Sequence, residues 1–85
     1  MANHQAKPAF EVRLGTIRAT VWANRNRKGD VWFNVTLSRF YLDGTSWKET
    51  HSYRRDDLPV AAKALEMAYD YIWRHQTSVP TKVSE

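Results

Sequence analysis

Residues 17–37 read IRATVWANRNRKGDVWFNVTL, and this stretch decides the fold. From Ile17 the apolar residues alternate. Ile17, Ala19, Val21 and Ala23 fall on one side and Arg18, Thr20, Trp22 and Asn24 on the other, which describes a strand with one buried face. Residues 24–30 contain turn formers and no apolar member, so the chain reverses there in a hairpin with a basic tip, Arg25, Arg27 and Lys28. On the return strand Val31, Phe33, Val35 and Leu37 take the buried side, while Trp32, Asn34, Thr36, Ser38 and Phe40 take the other. With the loop centred on Arg27, Trp22 and Trp32 face one another as a cross-strand pair.

Working outward, Gly15 marks a bend or bulge after a shorter strand at residues 10–14, and Asp43-Gly44 marks the next turn. The strand that follows, residues 47–54, has no plainly apolar parity. Placing Trp47, His51 and Tyr53 inward leaves Lys48, Thr50, Ser52 and Arg54 to match the polar outer face. Asp56 or Asp57 can cap a helix whose first turn tolerates Pro59 and which runs to about His75. At about 100° per residue, Leu58, Ala61, Ala62, Leu65, Ala68, Tyr69 and Ile72 form a wide apolar arc for the sheet, and Lys63, Glu66, Asp70 and Arg74 form a charged stripe. Val60, Ala64, Met67 and Tyr71 make a second apolar stripe, for which a partner helix, and so a homodimer, gives a use. Cover by the N-terminal segment, or scattered surface apolar residues, is the alternative. The fold class is α+β: a twisted antiparallel sheet of about four strands followed by one C-terminal helix, which packs on one face and leaves the other open. One domain, residues 9–75, stands between frayed tails at 1–8 and 76–85.

Composition narrows the function classes. Eighty-five residues allow one small domain, and the absence of cysteine excludes disulfides, thiolate metal sites and a cysteine nucleophile. Thirteen Lys and Arg against nine Asp and Glu give a net charge of +4, which suits a polyanionic partner. There is no apolar run of signal-peptide or membrane-spanning length, so the expected setting is cytoplasmic, at the nucleoid if the source is bacterial, with no membrane partner. His4, His51 and His75 lack metal-ligand spacing, and Asp56-Asp57 reads as a helix cap rather than a catalytic carboxylate pair. Gly15, Gly29 and Gly44 are isolated, so no phosphate loop is formed. The expectation is a protein that is no enzyme and needs no cofactor or metal.

The outward face carries the functional reading. Arg18, Thr20, Trp22, Trp32, Asn34, Thr36, Ser38 and Phe40, extended by Lys48, Thr50, Ser52 and Arg54, mix aromatic rings, small polar groups and cations without an acidic residue. Single-stranded nucleic acid needs flat rings for unstacked bases, cations for phosphates and small polar groups that let its backbone approach. Arg25, Arg27, Lys28 and the pair Arg54-Arg55 add phosphate contacts at the rim. Two alternatives stand beside this reading. The aromatic pair can serve only to hold the hairpin, or the face can receive another polypeptide as an interaction or structural module.

The layout GTIRATVW, a basic hairpin ending in KGDVWFNV, then FYLDGTSWK and a helix opening near RRDDLP resembles the transcriptional positive-cofactor-four group of single-stranded-DNA-binding coactivators. Plant Whirly proteins and PUR repeats share the layout, as does a group of short bacterial proteins. The resemblance spans about residues 12–72. It implies a curved sheet binding single-stranded DNA on its open face, a helix making a two-fold dimer on the other, and a role in transcription or DNA maintenance. By position it assigns the sheet arginine to Arg18, the second-hairpin aromatic to Phe40 or Tyr41, and the tip cations to Arg25, Arg27 and Lys28. The first hairpin loop is longer than the pattern, no loop aromatic stands near the tip, and Asp30 occupies a lysine position.

Overall fold

The computed structural model describes residues 7–75; the remainder of the two expected tails, residues 1–6 and 76–85, lies outside them. Four strands, β1 (Lys7–Leu14), β2 (Ile17–Arg25), β3 (Val31–Asp43) and β4 (Ser46–Thr50), precede a turn of 3-10 helix (Arg55–Asp57) and the helix α1 (Leu58–His75). The strands form one antiparallel sheet in the order β1-β2-β3-β4, open at both edges, so the α+β architecture is as expected.

Both short hairpins have two-residue turns, closed by Leu14 opposite Ile17 and by Asp43 opposite Ser46. Gly15 and Gly44 each have φ +65, and among the described residues no other residue type has positive φ. That is the type II′ pattern, whose twist matches the flanking strands. Gly15 is therefore a tight turn and not a bend or bulge. The sheet's irregularity lies instead between Pro8 and Phe10, because β1 begins at Lys7, earlier than expected. Pro8 is tolerated there since β1 is an edge strand.

The facing read from β2 and β3 holds, but burial follows it only in β2: on β3 Val31 and Val35 face the helix side yet are exposed, because α1 lies mainly over β1 and β2. Ile17, Ala19 and Val21 are buried beneath α1 with Val12, Ala61, Ala64 and Ala68, and Phe10, Leu14, Phe33, Leu37 and Tyr53 pack around them. Ile17 and Val21 are the largest fully buried side chains; full burial of such residues contributes about 1.5–3 kcal/mol each. Tyr53 is inward as expected, and its phenol donates to the Leu37 carbonyl at 2.6 Å. Its burial pushes the phenol pKa up, against the opposing effect of Arg39.

Three expectations are corrected. Arg25 pairs with Val31, which centres the loop on Lys28, so Trp22 stands opposite Asn34, and Asn24 opposite Trp32. The two tryptophans are diagonal neighbours, not a facing pair. β4 ends at Thr50, and its two-residue turn sets Trp47 opposite Leu42, with the parity of Phe40; Trp47 therefore lies on the outer face, 65% exposed. Lys48 opposite Tyr41 and Thr50 opposite Arg39 fall on the helix side instead.

The helix is turned from its expected setting. Ala64 is fully buried, and Val60, Met67 and Tyr71 pack against the core, where the Tyr71 ring stacks on Phe10 at 4.8 Å and meets Phe33 edge-on at 6.3 Å. The stripe assigned to a dimer, Val60, Ala64, Met67 and Tyr71, thus faces the chain's own sheet. Leu58, Leu65, Tyr69 and Trp73 remain exposed. The small residues Ala61, Ala64 and Ala68 let the helix sit close to the sheet, whereas leucines and aromatic rings there would hold it away. Asp57 accepts the Arg54 backbone N–H at 2.8 Å and meets Arg39 Nε at 3.4 Å, which secures the turn before α1. Among the described residues no helix is long and apolar enough to cross a membrane.

Candidate nucleic-acid interface

The outer face of β2 and β3 divides into two ends. At the hairpin end Trp22 is half-buried and its indole N–H donates to Thr36 Oγ1 at 2.9 Å, while Trp32 is 44% exposed beside exposed Asn34. The adjoining loop is closed by its own groups. Asn26 N–H donates to the Asp30 carbonyl at 3.0 Å, Asp30 N–H to Asn26 Oδ1 at 2.9 Å, and Asn26 Nδ2 to Asp30 Oδ2 at 3.1 Å. Asp30 is therefore a loop clamp. Arg25, Arg27 and Lys28 are exposed around this clamp and have no carboxylate partner among the described residues.

The other end is not the acid-free surface that the sequence suggested. Glu11 opposite Thr20 and Glu49 opposite Phe40 both lie on it. Arg18 reaches Glu49 at 3.1 Å and Glu11 at 3.9 Å, and its guanidinium lies 4.6 Å from the Phe40 ring centre, with Arg13 at 4.9 Å from the same ring. The Ser38 hydroxyl and the Arg18 guanidinium hold the Glu49 carboxyl below its usual pKa. Arg18 is thus a neutralised, stacked cation rather than a free phosphate contact.

Thr20 and Ser38 are on the expected face but buried, at 5% and 4% exposure, because the longer side chains around them close over. Trp22, Trp32, Asn34, Thr36 and Phe40 share the face, and the tip cations adjoin it. Lys48 faces the helix side and pairs with Asp43 at 3.4 Å, and Arg54 lies beyond β4, so neither belongs to this surface. Sequence reasoning missed Arg13, Trp47 and the two glutamates. The two-residue turn after Asp43 carried the signal for Trp47, since it fixes the strand's parity whatever its hydrophobicity. Trp47 and Phe40, with Arg13, Gly15 and Thr16, line an open cleft of about 360 Å³.

His51 Nδ1 lies 3.0 Å from the Leu37 carbonyl and His75 Nδ1 2.9 Å from the Tyr71 carbonyl, so both rings are engaged by backbone. Among the described residues no three His, Cys, Asp or Glu side chains are grouped to hold a metal, and His4 lies outside them. Comparison with protein-family models, with curated proteins and with solved structures finds no match to this chain.

Proposed function

We propose that the chain binds single-stranded nucleic acid, single-stranded DNA foremost, on the outer face of its sheet, as a homodimer and without catalysing a reaction. One observation carries this reading: Trp22 and Trp32 lie on one face at the end of the β2–β3 hairpin, beside three exposed cations that no carboxylate among the described residues neutralises. Rings there can stack on unpaired bases while Arg25, Arg27 and Lys28 meet phosphates, and Asn34 and Thr36 are small enough for close backbone approach. At the opposite end Glu11 and Glu49 offset Arg18 and Arg13, which leaves the hairpin end as the more cationic part of the face. Such binding suits work on opened duplex in transcription or DNA maintenance.

The exposed Leu42 and Trp47, an apolar cross-strand pair, favour a second reading in which the outer face receives a polypeptide. Titrating labelled single-stranded and duplex oligonucleotides at two salt concentrations separates the two. Tighter binding of single strands that weakens steeply with salt supports the proposal. Equal or absent binding of all oligonucleotides overturns it and leaves the polypeptide reading.

A further inference from the structure

We propose that the free edge of β3 pairs antiparallel with the same edge of a second copy, so that two four-stranded sheets become one continuous sheet. β4 pairs with β3 only from Arg39 to Asp43, which leaves residues 31–38 without a neighbouring strand on that side. Phe40 N–H donates to the Thr16 carbonyl at 2.8 Å, towards β2. The alternation of an antiparallel ladder then turns the N–H and C=O groups of Val31, Phe33, Val35 and Leu37 the other way. The Leu37 carbonyl is taken by Tyr53 and His51. Val31, Phe33 and Val35 have no strand partner there among the described residues.

The sheet's other free edges, on β1 and β4, are guarded, and β4 carries Lys48 and Glu49. β1 carries Lys7, Pro8, Glu11 and Arg13 and an irregularity between Pro8 and Phe10, all of which obstruct strand addition. Residues 31–38, VWFNVTLS, contain neither a charge nor a proline. An unguarded edge of this kind is a template for strand addition, and three features select a second copy.

First, the apolar surface beside the edge is self-complementary. Val31 and Val35 are exposed on the helix side of β3. Met67, Asp70 and Arg74 line a cleft with Phe10 of β1, so the opposite flank of α1, bearing Leu65 and Tyr69, lies towards β3, and Trp73 meets Tyr69 edge-on at 6.0 Å. An antiparallel pair of identical strands has a two-fold axis perpendicular to the sheet, which puts both helices on one side. Because α1 lies over β1 and β2, the helices would stand roughly 20 Å apart, four strand spacings. Leu65, Tyr69 and Trp73 from each copy are long enough to fill that gap.

Second, the areas match. The exposed parts of Val31, Val35, Leu65, Tyr69 and Trp73 amount to on the order of 500 Å² per copy, about 1,000 Å² for the pair, near the lower bound for a specific interface before the strand backbone is added. Third, the assembly closes. Each copy uses its uncharged edge at residues 31–38, and the guarded edges of β1 and β4 take no part. The pairing stands independently of the ligand. With the two-fold axis at Phe33, the middle of the three free edge residues, it would set Trp32 of each copy beside Asn34 of the other on one continuous outer face, joining the two tryptophan platforms.

Sedimentation equilibrium on the full chain tests this, with Val35→Pro and the double variant Tyr69→Glu/Trp73→Glu. The Val35 N–H points to the free edge, so the proline removes no hydrogen bond to β2. The parent should sediment at twice the chain mass. Val35→Pro should raise the dimer Kd by about 100-fold or more, since several backbone hydrogen bonds are lost together. The helix variant should weaken pairing as well, with the circular dichroism of both unchanged. Amide exchange at Val31, Phe33 and Val35 should be slow in the dimer and quicken on dilution. A parent that is monomeric at every concentration overturns the proposal, as does a dimer indifferent to both variants, or edge amides whose protection does not depend on concentration.

Discussion

Replacing Arg25, Arg27 and Lys28 together by alanine removes the three exposed cations of the β2–β3 loop and leaves the Asn26–Asp30 clamp intact. Each cation that neutralises a phosphate of a single strand contributes about 0.7 to the slope of log K against log salt, so the triple variant should lose roughly 2 units of slope. A fourfold rise in salt then weakens the parent by roughly twentyfold more than the variant. Arg18→Ala serves as the internal control. Its charge is already met by Glu49 at 3.1 Å and Glu11 at 3.9 Å, so its loss should leave the slope nearly unchanged. Fluorescence anisotropy of a labelled oligonucleotide across a salt series reads both numbers. A triple variant with the parent slope, or an Arg18→Ala variant that loses as much as the triple, would refute the assignment of phosphate contact to the loop.

Trp32→Ala should cost about 1–3 kcal/mol of single-strand binding, the worth of one stacked base, with duplex affected less; quenching of tryptophan fluorescence by single strands checks this on protein shown to be folded. The Glu49 carboxyl should titrate below an ordinary glutamate, and Ser38→Ala should move its midpoint upward, as side-chain NMR would read. A lowered pKa in the folded state means that the stability it contributes is complete above the ordinary carboxylate range and is lost as pH falls through the lowered value. A midpoint at or above the ordinary value sinks that account.

The two ends of the outer face have different electrostatic characters for one structural reason. β4 flanks the β2–β3 hairpin only at its far end, and although β1 runs along β2 as far as Ala23, the glutamate that each brings to the surface lies at the far end, beside Arg18. Nearer the loop β3 lacks β4 as a neighbour, so no carboxylate from that strand reaches the tryptophans or the tip cations. The edge that is free for a second copy is therefore also the edge beside the proposed platform.

The period-two alternation of residues 17–37, the basic loop between its halves and the apolar helix after Asp57 determine the ββββα order by themselves, because strand periodicity and turn chemistry act over a few residues. The outer positions of Trp22 and Trp32 are legible for the same reason. Tertiary structure alone decided which side of α1 meets the sheet. Apolar residues cover most of the helix, so periodicity permits either setting, and the close fit of Ala61, Ala64 and Ala68 over Ile17 and Val21 selects one. Register was likewise out of reach, since moving the loop centre from Arg27 to Lys28 changes which residues stand opposite without altering the alternation within either strand. Glu11 and Glu49 meet Arg18 from strands on either side of the hairpin, and a contact between strands has no trace in the spacing of one chain segment.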